Sequence, residues 1–283
     1  MNLGLGRLSR DSAVPGLRRD EYSGLVTTIP NIAVQKAVAG ILGALDEKIG
    51  ANNRLAKSAI EYADMSFPQH SPKSTLRSLD EIVVTIKGVS YRSADLEAGT
   101  AALVTLKSFS RDGRYAVGGL KSYVGPFRAE QVILADEIVV AQTDLTQAAD
   151  VVGRAVRVPR STRYEILVAS LDLAIVRPRP GVDSTYLLGL LRHRSFREHC
   201  RARASGTTVL HLRKGVIETF DTNIASLSTQ KRYAALAKPL YQLEDNLAAE
   251  NQTLAELRDT LLPELMSGRL RVKDAEKKIE EVV

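Results

Sequence analysis

Apolar residues recur at a helical spacing in two separate stretches of the chain. In residues 31–65 they stand three or four positions apart, with no internal proline and with Asn31 placed to cap the first turn. In residues 229–266 the same spacing leads to a helix stop at Gly268, although Pro239 should kink or divide that helix. The two stripes predict two long amphipathic helices that pack against each other as an antiparallel coiled coil.

Between the two stripes, short β-branched runs alternate with Gly, Asp and Pro, which is typical of strands joined by turns. We expect strands at residues 81–87, 101–106, 131–142, 151–158, 164–176 and 209–212. One helix is expected, over residues 184–203. The sequence thus predicts an α+β fold, in which a mostly β domain is flanked by two long antiparallel helices.

One segment of the chain occurs twice. Residues 12–49 align without a gap on residues 207–244, at an offset of 195 that pairs Gln35 with Gln230. A repeat of this length, with different sequence between its copies, indicates a duplicated unit of one variable domain followed by one fixed helix. Because the first copy starts near the first residue, a variable domain is expected to be missing in front of it.

Two asparagines stand at the ends of comparable helical motifs. Asn52 and Asn251 are 199 residues apart, which predicts one extra turn of four residues in the second helix. An asparagine on the seam between two helices fixes their register at some cost in stability, whereas one that faces solvent does not. The sequence leaves both interpretations open.

Positive charge is concentrated in the middle of the chain. The net charge is +6, and residues 67–222 contain 22 Lys and Arg against 16 Asp and Glu, whereas the rest of the chain contains 17 of each. Such an excess suits a polyanion, although an ordinary solvated surface explains it equally well. No apolar run reaches the roughly 20 residues of a membrane span, so no membrane is expected and the cytoplasm is the default compartment. The single cysteine, Cys200, excludes an internal disulfide.

The sequence contains no recognisable catalytic motif. It lacks the Gly-rich loop with Lys-Ser/Thr of ATP motors and the Asn-Pro-Pro-Tyr segment of adenine methyltransferases. His193, His199 and Cys200 fall on one expected helix, but a metal site there is disfavoured because the chain has no second cysteine. We therefore expect no catalytic residue, no metal and no cofactor.

Several motifs together resemble the specificity (S) subunit of type I restriction-modification systems. They are the helix openings at 29–36 and 224–231, the segment 45–49 followed by Asn52, the loop 205–208, and the ending 250–268. These motifs cover both long helices and their joints to the central domain. Within residues 67–203 the likeness is one of outline, for example at 87–88 and 136–141.

The resemblance implies a non-catalytic specificity subunit of an enzyme complex. Residues 67–222 would be a target-recognition domain that binds double-stranded DNA and reads one half of a bipartite site. Residues 29–66 and 223–268 would be spacer helices that dock the modification (methyltransferase) subunit, with the restriction/translocase subunit as a further partner. Residues 1–28 would be the remnant of a preceding recognition domain, and residues 269–283 a charged tail. With one complete recognition domain, the chain would act as a homodimer, act beside a second half-subunit, or be a truncated remnant.

Candidate contacts follow from side-chain type and position. Arg and Gln can bond guanine and adenine through two hydrogen bonds, whereas Lys suits phosphate, and a Gly-rich loop at 112–119 adds flexibility. Arg154 and Arg157 fall on opposite faces of an expected strand, so at least one should serve packing or a salt bridge. The DNA-binding candidates are Lys87, Lys107, Arg111, Arg114, Lys121, Gln142, Arg154, Arg157 and, from the resemblance, Thr207 and Thr208. The subunit-docking candidates are Gln35, Leu45, Asp46, Ile49, Asn52, Gln230, Leu254 and Leu257.

Two alternatives from other classes stay open. A coiled-coil interaction protein without specific DNA recognition would explain the helices, but neither the strand half of the repeat nor the basic domain. A metal-dependent nuclease would explain the basic centre and needs clustered carboxylates. For that role the sequence offers only Asp136, Glu137, Asp144 and Asp150.

Overall fold

The computed structural model describes residues 29–68, 74–110 and 112–280 and confirms the predicted α+β class. In chain order the elements are α1 (Ile32–Met65), β1 (Thr75–Ser78), β2 (Val83–Lys87), β3 (Ala101–Val104), β4 (Lys121–Tyr123), β5 (Val132–Ile133), β6 (Ile138–Ala141), β7 (Thr143–Asp144), β8 (Ala155–Arg157), β9 (Ile166–Ala169), β10 (Leu173–Pro178), α2 (Ser184–Arg192), α3 (Arg194–Arg203), β11 (Ala204–Ser205), β12 (Leu210–Leu212), β13 (Asp221–Ile224), α4 (Leu227–Met266) and α5 (Val272–Glu280). None of the helices in these ranges is long and apolar enough to cross a membrane.

The chain divides into two compact units. One consists of Met1–Ala56 with Asn246–Val283, and the other of Lys57–Asp245. Below they are called the helical unit and the recognition unit. The remnant that the sequence predicts at residues 1–28 lies outside the described residues.

The two long helices begin at positions that the 195-residue offset makes equivalent. Asn31 caps α1 as predicted, because its Oδ1 accepts the Val34 N–H at 3.0 Å. At the equivalent place before α4, the Ser226 hydroxyl accepts the Thr229 N–H at 3.4 Å. Each cap satisfies a backbone donor that has no partner within the helix.

The second long helix has the predicted extra turn, since Asn251 lies 24 residues after the start of α4 and Asn52 lies 20 after the start of α1. Over its full length α4 has 40 residues against 34 in α1. It passes Pro239 as one helix and is not divided there. A proline removes one backbone hydrogen bond, but Ala237 and Tyr241 on either side are buried in the core, and this packing holds the helix together. The helix ends before Gly268, whose φ of 72° provides the predicted stop.

Within the helical unit, α1 and α4 pack antiparallel, as predicted. Asp46 pairs with Arg258 at 2.7 Å, and Asn52 bonds Asn251 at 3.0 Å, so rising numbers in α1 meet falling numbers in α4. The apolar seam between them contains Val38, Ile41, Leu45, Leu254, Leu261 and Leu265. Asn52 is only 4% exposed, and its amide also donates to Glu250 at 2.9 Å. Asn52 therefore lies on the seam, which is the register-fixing interpretation.

The segment predicted as a charged tail contains a helix, α5. Its Ala275 is fully buried, and Leu270, Val272 and Ile279 pack against the same seam cluster. Val272, Ala275 and Ile279 stand three or four positions apart, so they share one face of α5 while the charged residues occupy the other. The apolar stripe was present in the sequence but was obscured by the surrounding charge.

Over its described residues, the recognition unit contains four small sheets. Their strand orders are β1-β13, β2-β10-β6-β8, β11-β12-β7 and β4-β3-β9-β5. All neighbours are antiparallel except β3 and β9, which run parallel. One face of the β2-β10-β6-β8 sheet packs on α2, α3 and the helix segments of this unit, and the other face packs toward β3 and β9.

Several predicted strands are shorter than the sequence indicated. The run 131–142 is broken between β5 and β6, where Asp136 has a left-handed φ of 68°. The run 164–176 becomes β9 and β10 with a turn between them, and only 155–157 of the run 151–158 is a strand. Val152 and Val158 are fully buried although they lie outside β8, so the composition of the run 151–158 resembles that of a longer strand.

The predicted helix at 184–203 is two helices, α2 and α3. His193 leaves the helical conformation with ψ at 144°, and its Nδ1 accepts the Ser195 N–H at 3.2 Å as the cap of α3. Leu187, Leu188, Leu190 and Leu191 of α2 are buried in the main core. The break lets α3 take its own direction and present its arginines beside β7.

Candidate nucleic-acid interface

The sheet β11-β12-β7 places two loops side by side. Leu210 pairs with Asp144 in antiparallel register, so the loop 145–151 that follows β7 and the loop 206–209 that precedes β12 leave at the same end. The Gln147 side chain donates to the Thr207 carbonyl at 2.8 Å and ties them together. We call these two loops, with Arg154, Arg197 and Arg201, the loop face.

A single buried carboxylate fixes the first of these loops. Asp144 Oδ1 accepts hydrogen bonds from the Thr146 N–H and hydroxyl, both at 2.9 Å, and Oδ2 accepts the N–H groups of Val151 at 2.5 Å and Val152 at 3.1 Å. Burial raises the pKa of the Asp144 carboxyl, but these bonds lower it further, so it stays below its ordinary value. The loop 145–151 is therefore held at both ends by an ionised group.

The second loop requires glycine at its first position. Gly206 has φ of 146°, and a Cβ atom there would stand 1.9 Å from the Val209 carbonyl oxygen. Any other residue would force the turn open. The predicted DNA contacts Thr207 and Thr208 come directly after Gly206 in the chain, and both are exposed. The turn at Gly206 fixes the position of these two threonines.

Three guanidinium groups converge on the carbonyls of the loop 145–151. Arg154 Nε and Arg197 both donate to the Asp150 carbonyl, the latter at 3.0 Å, and Arg201 donates to the Ala148 carbonyl at 3.0 Å. Arg154 was predicted as a DNA contact, whereas Arg197 and Arg201 were not. Their spacing of four residues on α3, which puts both on one helix face, was the signal available in the sequence.

Like charges crowd one another in this cluster. Burial and the positive charge of Arg197 lower the pKa of Arg154 below its ordinary value, although Asp150 and Asp112 partly offset them. Burial and the charge of Arg201 likewise lower the pKa of Arg197. The cluster remains cationic because a guanidinium titrates far above neutral pH. Such a concentration of charge favours a bound anion, which would relieve the repulsion.

Two more of the predicted DNA contacts line one cleft of about 300 Å³. Lys87 at the end of β2 and Gln142 between β6 and β7 line it together with Arg213 and Lys214, which follow β12. The sequence nominated the first two but not the last two. Arg213 and Lys214 are exposed, as is Lys87. This cleft adds three cations to those of the loop face.

The Gly-rich loop is more tightly tied than predicted. Thr105 Oγ1 donates to the Gly119 carbonyl at 3.0 Å, and a Cβ at Gly119 would meet the Lys107 backbone at 2.2 Å. Lys107 is exposed, whereas the Lys121 ammonium stands 5.8 Å from the centre of the Tyr91 ring. These contacts anchor the Gly119 end of the loop on the backbone around Lys107.

The tip of the same loop adjoins the loop face. Arg114 pairs with Asp112 at 2.8 Å, and Arg111 lies outside the described residues. Gly113 adopts φ of 82°, and a Cβ there would stand 2.6 Å from the Arg154 guanidinium. The structure thus brings Arg154 and the turn that carries Arg114 together.

Arg157 is occupied by structural contacts. Its guanidinium is 12% exposed and pairs with Asp136 at 2.5 Å and Asp245 at 2.6 Å. It also donates to the Tyr241 carbonyl at 3.1 Å. The prediction that at least one arginine of this pair serves a salt bridge is confirmed. With every terminal nitrogen bonded to the protein, Arg157 holds β8 on α4 and is poorly placed to touch DNA.

A second buried arginine was missed by the sequence reasoning. Arg192 at the end of α2 forms two hydrogen bonds of 2.8 Å to the Asp64 carboxylate of α1 and one of 2.6 Å to the Gly113 carbonyl. Burial lowers the pKa of Arg192, but its pairing with Asp64 raises it overall. Arg192 therefore fixes the tip of the Gly-rich loop on the end of a long helix.

The carboxylates required by the nuclease alternative are engaged elsewhere. Asp136 pairs with Arg157, and Glu137 binds Arg177 through both oxygens. Asp144 is the loop anchor described above. Within the ranges that the structure describes, no group of three or more His, Cys, Asp or Glu residues could hold a metal ion. These carboxylates are separate structural partners.

The docking candidates fall mainly inside the chain. Leu45, Asn52, Leu254 and Gln230 are buried, and Ile49 and Leu257 pack against the seam cluster. Asp46 stays 57% exposed beside Arg258. Buried side chains cannot touch a partner, so most of these residues could affect docking only through the geometry of the helices that carry them.

Comparison with known proteins identifies the fold. No protein-family model matches the sequence, and no curated protein matches it. Among solved structures, the type I restriction-modification S subunit from M. genitalium matches with a TM-score of 0.57 at 17% identity, over 92% of this chain and 68% of that one.

Two further structures give weaker matches. The HsdS subunit from Thermoanaerobacter tengcongensis has a TM-score of 0.45 at 16% identity, over 94% of this chain and 67% of that one. A chain from work on complex assembly and conformational transition of the type I R-M system has a TM-score of 0.47 at 18% identity, over 92% and 66%. On the strength of the M. genitalium match, the chain has an S-subunit-like fold.

Proposed function

We propose that this chain is a non-catalytic, DNA-binding specificity subunit of a type I restriction-modification system. Its recognition domain, residues 67–222, would bind double-stranded DNA and read one half of a bipartite site. Its two long helices would carry the modification subunit, and through that complex the restriction/translocase subunit. The S-subunit-like fold supports the class of protein, and the surface of the recognition unit supports the ligand.

The observation that carries DNA binding is the arginine cluster of the loop face. Arg154, Arg197 and Arg201 all donate to neutral carbonyls of one loop, so their positive charges are only partly offset within the protein. Most contacts between proteins and DNA go to phosphates, and each phosphate neutralised by a cation releases a counterion. The cleft at the other end of the same sheet adds Lys87, Arg213 and Lys214, beside the carboxylate of Glu218. A duplex backbone is the polyanion that fits such an extended set of cations.

The division of labour between the units follows from the repeat. The duplicated residues include the openings of both long helices, whereas the sequence between the copies is unrelated to them. Recurring residues suit a partner that is always the same, and variable ones suit a changing DNA target. We therefore assign the modification subunit to the helices and the DNA to the domain.

The direct test is to map methylated adenines in cells that express the chain with a type I modification subunit. A defined bipartite sequence supports the proposal. Replacing residues 67–203 by another recognition domain should change that sequence completely and leave the complex intact. Absence of site-specific methylation would contradict the proposal, and loss of copurification after the swap would contradict the division of labour.

The same map tests how many recognition domains are needed. One domain that discriminates by about 1–3 kcal/mol per base pair selects poorly against the competing sites of a genome. We propose that a second domain is supplied by a second copy of the chain. Two identical domains related by a two-fold axis must read the same bases on opposite strands, so the site should be an inverted repeat. An asymmetric site would point to a different second half-subunit.

A further inference from the structure

An exposed leucine stands on the loop face. Leu145 is 68% exposed and is the first residue of the loop 145–151. The residue before it, Asp144, is 2% exposed and fixed by four hydrogen bonds. Leu145 is thus presented to solvent by a backbone that has little freedom to move.

Isolated exposed leucines are common and need no explanation, but the surroundings of this one are unusual. Arg154, Arg197 and Arg201 are bonded to carbonyls three to five positions farther along the same loop. Gln147, two positions after Leu145, joins Thr207 to the same loop. The exposed side chain of Leu145 adds nothing to the hydrogen bonds that hold this loop.

We propose that Leu145 is a specificity-determining residue that contacts the bases of the bound duplex, while the three arginines hold the phosphates beside them. This inference rests on the proposed function. Phosphate contacts fix the register of a protein on DNA but carry no sequence information. Apolar side chains do read sequence, through the thymine methyl group in the major groove or by insertion at a deformable base step.

The arrangement meets the requirements of such a contact. The arginines supply charge for the phosphates that flank the groove, and all three bond carbonyls of the loop that presents Leu145. Asp144 fixes the loop from its base, so presenting Leu145 costs little conformational entropy on binding. Gln147, two positions along the loop, and the exposed Thr207 to which it bonds provide polar groups on the same face for the edges of adjacent bases.

The test compares affinities for two duplexes, one with the mapped methylation site and one with the same bases scrambled. The complete complex with the modification subunit is used, and binding is followed by fluorescence anisotropy over a range of salt concentrations. L145A should lower the ratio of the two affinities about tenfold, because the contact area of a leucine is lost only on the correct sequence. The dependence of log affinity on log salt should stay unchanged.

Two control variants separate this effect from others. L134A truncates a leucine that is 62% exposed on another loop of the same unit, and it should keep the wild-type ratio. R201Q should weaken binding to both duplexes alike and reduce the salt slope by about one. Circular dichroism verifies that each variant is folded.

The outcomes distinguish the two levels of the proposal. If the wild-type complex binds neither duplex, or both equally, the proposed function fails. If the wild-type complex prefers the mapped site and L145A keeps that preference, the inference about Leu145 is overturned while the proposed function stands. Equal loss of affinity for both duplexes by a folded L145A would also overturn it, because the contact would then be independent of sequence.

Discussion

The two copies of the repeat make the same local contacts in different surroundings. In the first copy, Gln35 Nε2 donates to the Pro30 carbonyl at 2.7 Å, and in the second, Gln230 Nε2 donates to the Ala225 carbonyl at 2.9 Å. Gln230, however, is 2% exposed and also accepts the Asp183 N–H at 2.9 Å. Gln35 is only half-buried. The glutamine is a helix-opening contact in both copies and a core contact in one.

Apolar positions diverge in the same way. Ile29 is 62% exposed, whereas its equivalent Ile224 is 8% exposed in the core of the recognition unit. Leu45 is buried in the helical seam, whereas its equivalent Leu240 is only partly buried. The duplicated sequence therefore encodes the local geometry of a helix opening, and the neighbouring elements decide how much each side chain contributes to stability.

The largest expected effect contrasts two equivalent leucines. Leu45→Asp should lower the free energy of unfolding by more than about 3 kcal/mol, because it removes seam packing and buries an unpaired carboxylate. Leu254→Asp, across the seam, should do the same. Leu240→Asp should cost about half as much, since its carboxylate can reach water. Urea unfolding followed by circular dichroism measures all three. Unchanged stability in Leu45→Asp and Leu254→Asp would contradict the antiparallel pairing.

Substitution of the two equivalent glutamines should produce a smaller difference in the free energy of unfolding. Gln230→Ala removes the side-chain partners of the part-buried Asp183 N–H and the buried Ala225 carbonyl and should cost about 2 kcal/mol. Gln35→Ala loses one half-buried bond and should cost about 1 kcal/mol or less. The same unfolding measurement applies. Equal losses of unfolding free energy in the two variants would contradict the difference in burial between Gln35 and Gln230.

The two helix caps should behave alike. Asn31→Ala and Ser226→Ala each remove a side-chain acceptor from the first turn of a long helix, and each should cost about 1 kcal/mol. Because the caps lie on different elements and share no partner, the double variant should show the sum of the two losses. A strongly non-additive double variant would show that the helix openings are coupled.

The smallest expected effect is a pH dependence of stability that only the second copy of the repeat should show. The offset pairs Ile49 with Glu244, and burial raises the pKa of Glu244 from 4.5 to about 7 despite the opposing charges of Arg192 and Arg157. The native state then binds more protons than the unfolded state between these two values, so the contribution of Glu244 to stability falls as pH rises from 4.5 to about 7. Discounted for partial exposure, it amounts to about 1 kcal/mol at most.

Matched variants test this difference. Glu244→Gln should remove this part of the pH dependence, so that its stability relative to wild type rises through the same window. Ile49→Gln changes the equivalent position without a titrating group and should alter stability equally at all pH values. Unfolding free energies at several pH values between 4 and 8 provide the measurement. A Glu244→Gln profile parallel to that of wild type would show that this carboxyl does not titrate in the window.

The candidate site could be predicted only in part. Arg154, Lys87, Gln142 and the Thr207 turn were found from residue type, charge and a short motif. Arg197 and Arg201 were not selected because their role depends on the break at His193, which gives α3 its own direction. The sequence does not indicate Leu145, because a leucine that follows a buried strand is expected to lie in the core. In the structure, the loop that Asp144 anchors turns this side chain toward solvent.

What the sequence by itself determined are the features that depend on neighbouring residues along the chain. These are the two long helices, the Asn31 cap of the first, the stop at Gly268 after the second, and the positive charge of the domain. They follow from helical periodicity, side-chain bonding over a few residues and glycine's access to positive φ. The α+β class follows because the helical spacing of apolar residues in the two stripes gives way to short β-branched runs in the segment between them.

Only the tertiary structure decided which of these residues are buried, paired or exposed. Asn52 became a seam residue because Glu250 and Asn251 meet it from a helix nearly 200 positions away. Arg157 became a buried ion-pair partner because Asp245 stands opposite β8. A single sequence records the chemistry of each side chain but not its distance to residues far along the chain. That distance decides whether a charge is neutralised inside the protein or remains for a ligand.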